Sequence, residues 1–536
     1  MQQLTGLDQM FLSLDSATTN AVLGGLVRFD PPPPGAPVSD EAFMRARLTE
    51  RLPLIPPMNK RVVTVPFALD HSYLATCERI DVGDRIATVV LPGAGGDVEL
   101  AAEVSRIMGT PLITDGPLWD YTIITGLDDG GIAHLLRIHH GMVDGSTMPD
   151  IWDLFADEPV ATLPDTPPLR TRPEPVLGKA EMAVRGVTCT LARPVKQAGT
   201  AVQLGKWLVG RYPTDGLMAA PALAARLIPG RPGRALTGVV NLRQRAKGRP
   251  EVVPYVPTYR APETSFNGRA SSHRHFTFSE MDLAEVKAVG KAYGTTLNNV
   301  VVAICAGAVR RYMADHGGAP DVPIIVCVPV SLRREGIKEP WSNHVHMMFA
   351  EFPTHLEDPI ERLDAVTRDL TAAKTSYDGM PIYLFRDISR FIPRDLFGWL
   401  TQAWIRLPDK WARGPWNVVV SNVRGPSKPA TMNGLRVAGY WPASFVSIGG
   451  GINITLQSYV DKICFGFIGA PDKTGDLWPL VDYMQDALTE MKEAVDAHVA
   501  AKAADEEPPA PRPAAKPAGK GTAAPRPVRA VRASGD

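Results

Sequence analysis

Residues 452–460 (Ile, Asn, Ile, Thr, Leu, Gln, Ser, Tyr, Val) alternate between apolar and polar types through Gln457, which is the period of a half-buried strand. The segment AAEVSRIM at 101–108 has helical spacing instead. Two apolar runs follow it, 118–127 and 132–140, joined by the turn-rich Asp128-Asp129-Gly130-Gly131, and this order predicts an α/β lobe. A second α/β pattern begins near Val239: helices over 281–293 and 296–313, a strand over 322–330, and a terminal helix from about 480 to 500. Between them prolines crowd 159–175 and recur at 194, 213, 221, 229 and 232 within Ala-, Leu- and Val-rich helical text. That composition predicts a long connection with amphipathic helices of its own. The expected organisation is an N-terminal lobe 1–158, a connection 159–237, a C-terminal lobe 238–500 and a tail 501–536.

Composition narrows the class. The chain has 536 residues, 45% of them hydrophobic and 21% charged, as in ordinary globular proteins, and this excludes collagen-like, coiled-coil and wholly disordered chains. Lys plus Arg and Asp plus Glu balance at 57 each, so the overall charge gives no reason to expect nucleic acid as a partner. The five cysteines are far apart and form no C-x-x-C pair, which argues against a disulfide framework and a zinc site and fits a reducing cytosol. The first residues lack the basic and apolar regions of a signal peptide. A charge-free stretch, 437–460, is long enough to span a bilayer, but it carries Pro442, four glycines, Asn453 and Gln457, and its second half has the strand period. No transmembrane segment is expected. The Ala/Pro/Lys/Arg tail has no aromatic residue and is expected to be disordered, its basic residues suited to an anionic membrane surface.

The densest chemistry is His139-His140-Gly141-Met142-Val143-Asp144-Gly145, at the end of a strand and before a helix. Histidine beside a carboxylate suits proton transfer near neutral pH. Successive strand side chains point to opposite faces, so only one of the two histidines reaches a given substrate. His140 shares its face with Ile138, Leu136, His134 and Ile132, whereas His139 shares one with Arg137 and Leu135. If the apolar face lines a lipophilic tunnel, His140 is the candidate base. Asp144 then holds the histidine loop by a salt bridge or by backbone hydrogen bonds, and Gly145 supplies a tight turn into the helix. A metal site made of both histidines and Asp144 fails on the same parity and for want of further clustered ligands. The spacing His139-x4-Asp144 also fits the H-x4-D pattern of glycerol-phosphate acyltransferases, which is short enough to occur by chance.

The chain resembles the bacterial wax ester synthase/diacylglycerol acyltransferases, within the superfamily of chloramphenicol acetyltransferase-like, CoA-dependent acyltransferases. HHGMVDG matches the superfamily's HHxxxDG, which also occurs in peptide-synthetase condensation domains. The narrower resemblance rests on LTGLDQMF at 4–11, Pro117-Leu118-Trp119, Phe266-Asn267-Gly268, TLNNVVVA at 296–303 and SNVRGP at 421–426. These segments stand in the family's order over nearly the whole chain before the tail. Asn299 replaces the usual Asp, Arg424 the usual Pro, and 71–82 lacks much of the usual aromatic and acidic text, departures that bear on acceptor preference.

The resemblance implies an α/β (α+β) fold of two chloramphenicol acetyltransferase-like lobes with an active-site tunnel between them. It implies transfer of a long-chain fatty acyl group from acyl-CoA, as co-substrate and with no resident cofactor, to diacylglycerol or a long-chain alcohol. His140 would be the general base, with His139, Asp144 and Gly145 in support. No G-x-S-x-G elbow is present, in keeping with direct attack. Asn298 either braces its helix or gives polar support to the oxyanion. Pro117-Leu118-Trp119 reads as packing at the start of a strand, and Gly449-Gly450-Gly451 as a bend between strands. Greasy substrates require a membrane or lipid-droplet surface, and 391–416 places Trp399, Trp404, Trp411 and Trp416 among Arg394, Arg406, Lys410 and Arg413, a mix suited to an interfacial helix. The alternatives are a condensation-type acyltransferase for another hydroxyl or amine, and a catalytically silent lipid-surface protein.

Overall fold

The computed structural model describes residues 1–506 apart from 36–38, 160–176, most of 212–256, 332–340 and 342, most of 378–413, and 448 and 450. In chain order the main strands of the first half are β1 (Val22–Phe29), β2 (Ile86–Val90), β3 (Trp119–Thr125) and β4 (Ile132–His139). The second half contributes β5 (His275–Asp282), β6 (Ile324–Ser331), β7 (Val345–Phe352), β8 (Val418–Val423), β9 (Thr431–Met432), β10 (Leu435–Ala443), β11 (Ile452–Tyr459) and β12 (Lys462–Gly469). They form two six-stranded sheets, ordered β9-β10-β1-β4-β3-β2 and β7-β6-β8-β11-β12-β5.

The sheets do not divide the chain at one point. Residues 431–443, which the sequence pattern assigns to the C-terminal lobe, form β9 and β10 and complete the first sheet, with β10 antiparallel to β1. From there β10 packs on β11 and β12 of the second sheet. The approach is close enough that a Cβ at Gly466 would lie 1.8 Å from the carbonyl oxygen of Pro442, so only glycine fits. Trp441 Nε1 donates to the Ser279 carbonyl at 3.1 Å in the same seam.

Each sheet has its own apolar core. On β11 the alternation resolves as Ile452, Ile454 and Leu456 entering the second core, while Asn453, Thr455 and Gln457 face a cavity between the sheets. The charge-free stretch 437–460 is thus β10, a bend and β11. Gly449 takes φ 71° there, and a Cβ at Gly451 would meet the Phe266 ring at 2.3 Å. Among the described residues no single helix is long and apolar enough to cross a membrane.

The main helices are α1 (Gly6–Leu14), α2 (Asp97–Met108), α3 (Lys179–Arg211), α4 (Leu283–Tyr293), α5 (Leu297–Asp315), α6 (Pro359–Tyr377) and α7 (Trp478–Glu506). Helix α2 starts four residues before the apolar pattern does, because Glu99 Oε2 accepts from the Gly96 N–H at 3.0 Å and acidic residues suit a helix N-terminus. Met281 and Asp282 belong to β5 and not to α4, since the Asp282 carboxylate caps the helix by accepting from the Ala284 and Glu285 N–H groups. In the connection, α3 docks on the first lobe through Met182, packed with Val65 and Tyr73, and Thr190 Oγ1, which donates to the Leu69 carbonyl. Helix α7 runs through Glu506, so 501–506, read as the start of a disordered tail, are helical. Their Ala-, Lys- and Glu-rich text explains why. Residues 507–536 lie outside the described residues.

Candidate active site

Strand β4 ends at His139, and the next turn sets the two histidines on opposite sides. His139 borders a cavity of about 760 Å³ with Gln9, Asp15, Ser72 and Trp399. Its Nδ1 accepts from the Gly141 N–H at 2.9 Å, so Nε2 carries the proton and donates to Asp15 Oδ2 at 3.0 Å. His140 faces the other way, into a cavity of about 130 Å³ between the two sheets. Leu23, Met148, Val345, Met347 and Val419 give that cavity its apolar lining.

His140 is buried, with two aromatic rings packed against it. Phe11 stacks on it at 3.8 Å between centroids, and Phe445 meets it edge-on at 5.8 Å. Desolvation pulls the imidazole down to about 4, against a smaller opposing pull from the Asp144 carboxylate. The ring is therefore neutral at pH 7, and its Nδ1 is buried with no hydrogen-bond partner. That combination leaves a neutral proton acceptor beside the cavity.

The loop carrying His140 is tied down from both lobes. Asp144 forms backbone hydrogen bonds and not a salt bridge: its Oδ1 accepts from the Ser146 N–H and its Oδ2 from the His344 N–H, both at 3.0 Å. Asn343 Nδ2 donates to the His140 carbonyl at 2.7 Å and to Asp8 Oδ1 at 2.8 Å. Asp8 is fixed at the start of α1 by the Thr5 hydroxyl and N–H, and burial raises its carboxyl above the usual range. Gly145 opens the short helical turn Gly145–Thr147, but its backbone is not left-handed, and the nearest atom to a Cβ there would be Leu23 Cδ1 at 3.9 Å. The glycine that packing requires is Gly141, where a Cβ would lie 2.9 Å from the Asp8 carbonyl oxygen and 3.0 Å from Leu12.

Asn298 stands in the first turn of α5 and does not line the cavity. Its Oδ1 accepts from Asn422 Nδ2 at 3.2 Å, and Asn422 borders the cavity. Asn299 braces the same helix start by donating to Thr295 Oγ1 at 3.0 Å. Trp119 is buried, its Nε1 donating to the Met58 carbonyl at 2.7 Å, so the PLW segment packs the start of β3. Of the four tryptophans in 391–416, Trp399 is 65% exposed at the His139 cavity. Trp416 is half-buried, stacked on Phe349 and facing the His140 cavity, because it leads into a strand of the second sheet. Trp404 and Trp411 lie outside the described residues.

Phe11, Asp8 and Asn343 escape a reading of the motif alone. The first two lie in LTGLDQMF, where an acid and an aromatic residue share a helix three residues apart; Asn343 carries no local signal. His134, on the same strand face as His140, is structural: Nε2 bonds the Ser39 carbonyl, Nδ1 takes the Tyr121 hydroxyl, and burial pulls the ring down to about 3.

The fold is shared with solved acyltransferases. The structure resembles a wax ester synthase/diacylglycerol acyltransferase from Marinobacter aquaeolei VT8 (TM-score 0.61, 24% identity, covering 92% of this chain and 100% of that one). It also resembles the trichothecene 15-O-acetyltransferase of Fusarium sporotrichioides (TM-score 0.52, 12% identity, 92% and 94% covered). These likenesses define an acyltransferase fold.

The narrower assignment comes from sequence. The model of the wax ester synthase/diacylglycerol acyltransferase catalytic domain matches residues 4–301, and that of the WS/DGAT C-terminal domain matches 341–492. The chain belongs to the wax ester synthase/diacylglycerol acyltransferase family and is an acyltransferase. A Mycobacterium tuberculosis protein named as a diacylglycerol O-acyltransferase is 28% identical, with 92% of this chain and 91% of the relative covered. The O-acyltransferase WSD of Acinetobacter baylyi is 26% identical, with 92% and 96% covered.

Proposed function

We propose that His140 is the general base for direct transfer of a long-chain acyl group from acyl-CoA to the hydroxyl of diacylglycerol or a long-chain alcohol. The observation that carries this reading is the neutral, desolvated imidazole with an unpartnered nitrogen at an apolar cavity between the sheets. As the acceptor oxygen attacks the thioester carbon, its proton passes to His140. The C–S bond then breaks and the imidazolium returns the proton to the CoA thiolate. Asp144 steadies the imidazolium by its charge, and base catalysis of this kind contributes on the order of 10² to 10⁴ in rate.

Neither Cys327 nor Ser146, both in the cavity lining, is set up as a nucleophile. Burial pushes the Cys327 thiol far above its ordinary value, so no thiolate forms at neutral pH. Ser146 Oγ is buried without a partner, and so without an activating base. Both acceptors dissolve in bilayers, and the reading therefore includes peripheral contact with a membrane or lipid droplet, supported by the exposed Trp399 beside the His139 cavity.

The test is purified protein with labelled palmitoyl-CoA and a panel of diacylglycerols and alcohols. Acceptor-dependent ester formation is expected, with no acyl adduct on the protein when acyl-CoA is supplied alone. A stoichiometric adduct in intact-mass spectra would overturn direct attack, and no ester with any acceptor would overturn the reading.

A further inference from the structure

Resting on that reading, the structure points to Gln457 as a residue that selects the acceptor. Among the described residues, the cavity at His140 is lined by one charged side chain, Asp144, and no Lys or Arg, which suits a neutral lipid. Its wall on β11 is nevertheless polar. Asn453, Thr455 and Gln457 share that face by strand parity, and the first two satisfy each other: Asn453 Nδ2 donates to the Phe445 carbonyl at 2.9 Å, and Thr455 Oγ1 donates to Asn453 Oδ1 at 2.9 Å.

Gln457, the next rung, is only 1% exposed, and its Nε2 has no hydrogen-bond partner. The side chain packs close to Gly425, where a Cβ would lie 2.8 Å from its Cγ and its Nε2. Ser447 Oγ, elsewhere in the lining, is buried and unpartnered as well. Gln457 lines the cavity, and a buried amide N–H left without a partner calls for an acceptor oxygen.

An alkanol brings one oxygen, and His140 engages it. A diacylglycerol brings the same hydroxyl and two ester groups whose carbonyl oxygens accept hydrogen bonds. We therefore propose that Gln457 Nε2 donates to an ester carbonyl of a glyceride acceptor and favours glycerides over simple alkanols. A site built to hydrogen-bond a substrate group discriminates against analogues that lack it, because its own polar atom is then left unpaired.

The experiment compares kcat/KM for a diacylglycerol, the matching dialkylglycerol, whose ether links lack carbonyls, and 1-hexadecanol, all with palmitoyl-CoA. In the unmodified protein the dialkylglycerol should be about tenfold poorer than the diacylglycerol, mainly through KM, the loss expected for one hydrogen bond. In Gln457→Leu that gap should close, with 1-hexadecanol losing no more than the dialkylglycerol does. Equal use of ester and ether glycerides by the unmodified protein would overturn the proposal whether or not the variant folds. So would an equal loss with all three acceptors in a folded Gln457→Leu, which would place the amide on the acyl donor. Turnover of none of the three would instead overturn the acyl-transfer reading beneath it.

Discussion

The ring of Phe11 lies parallel to that of His140, with centroids 3.8 Å apart and planes inclined by 13°. The stack covers one face of the imidazole and keeps water from it, and desolvation is the largest cause of its lowered pKa. Phe11→Ala should let the pKa climb from about 4 toward 6.5, moving the acid limb of kcat/KM upward by a unit or more and lowering the plateau. An unshifted acid limb in a folded variant would show that the aromatic stack does not set the protonation state.

The same burial makes the fold acid-sensitive. His140 at about 4 and His134 at about 3 both sit below the unfolded value near 6.5, so between those limits the unfolded chain binds more protons. Their contribution to stability is complete above pH 6.5 and falls as the pH drops toward 4, by about 3 kcal/mol for His140 at ~1.4 kcal/mol per unit. Thermal melts between pH 7.5 and 4.5 should show this slope, and His140→Gln, which does not titrate, should flatten it. An equal slope in the variant would contradict the assignment.

Asn343→Ala removes the donor shared by Asp8 and the His140 carbonyl. Leaving buried acceptors unpaired should cost about 1–3 kcal/mol in a denaturant melt, with a loss of turnover larger than the loss of substrate binding. Unchanged stability would mean that water replaces the amide and that the loop is held elsewhere.

At the junction of the sheets, Gly466→Ala would drive a methyl group into the Pro442 carbonyl, where a Cβ sits 1.8 Å from the oxygen. Overpacking of that kind against backbone should cost about 3 kcal/mol or more, or abolish soluble protein. A variant that melts like the unmodified chain would show that the seam yields.

Much of this was legible in the sequence because it is carried by local pattern. The alternation in 452–460 gives β11, the parity of 132–140 separates the two histidines, and the capped text at 296–313 gives α5. What was hidden depends on contacts between distant residues. The return of 431–443 to the first sheet leaves no local mark, because a strand looks the same whichever sheet it joins. Asn343 lies some 200 positions from His140 and 335 from Asp8. Gly145 follows the same rule in reverse: a glycine next to a histidine motif suggests a strained turn, whereas the packing that needs a glycine is at Gly141.

The central claim is that His140, and not His139, takes the acceptor's proton. Ester formation from labelled palmitoyl-CoA and diacylglycerol, measured for His140→Ala and His139→Ala with circular dichroism and melts to establish folding, tests it most directly. A folded His140→Ala should lose 10² to 10⁴ in kcat, while His139→Ala, which frees the Gly141 N–H and Asp15, should lose less, in step with its loss of stability. Normal turnover by His140→Ala beside a fully folded but inactive His139→Ala would contradict the account.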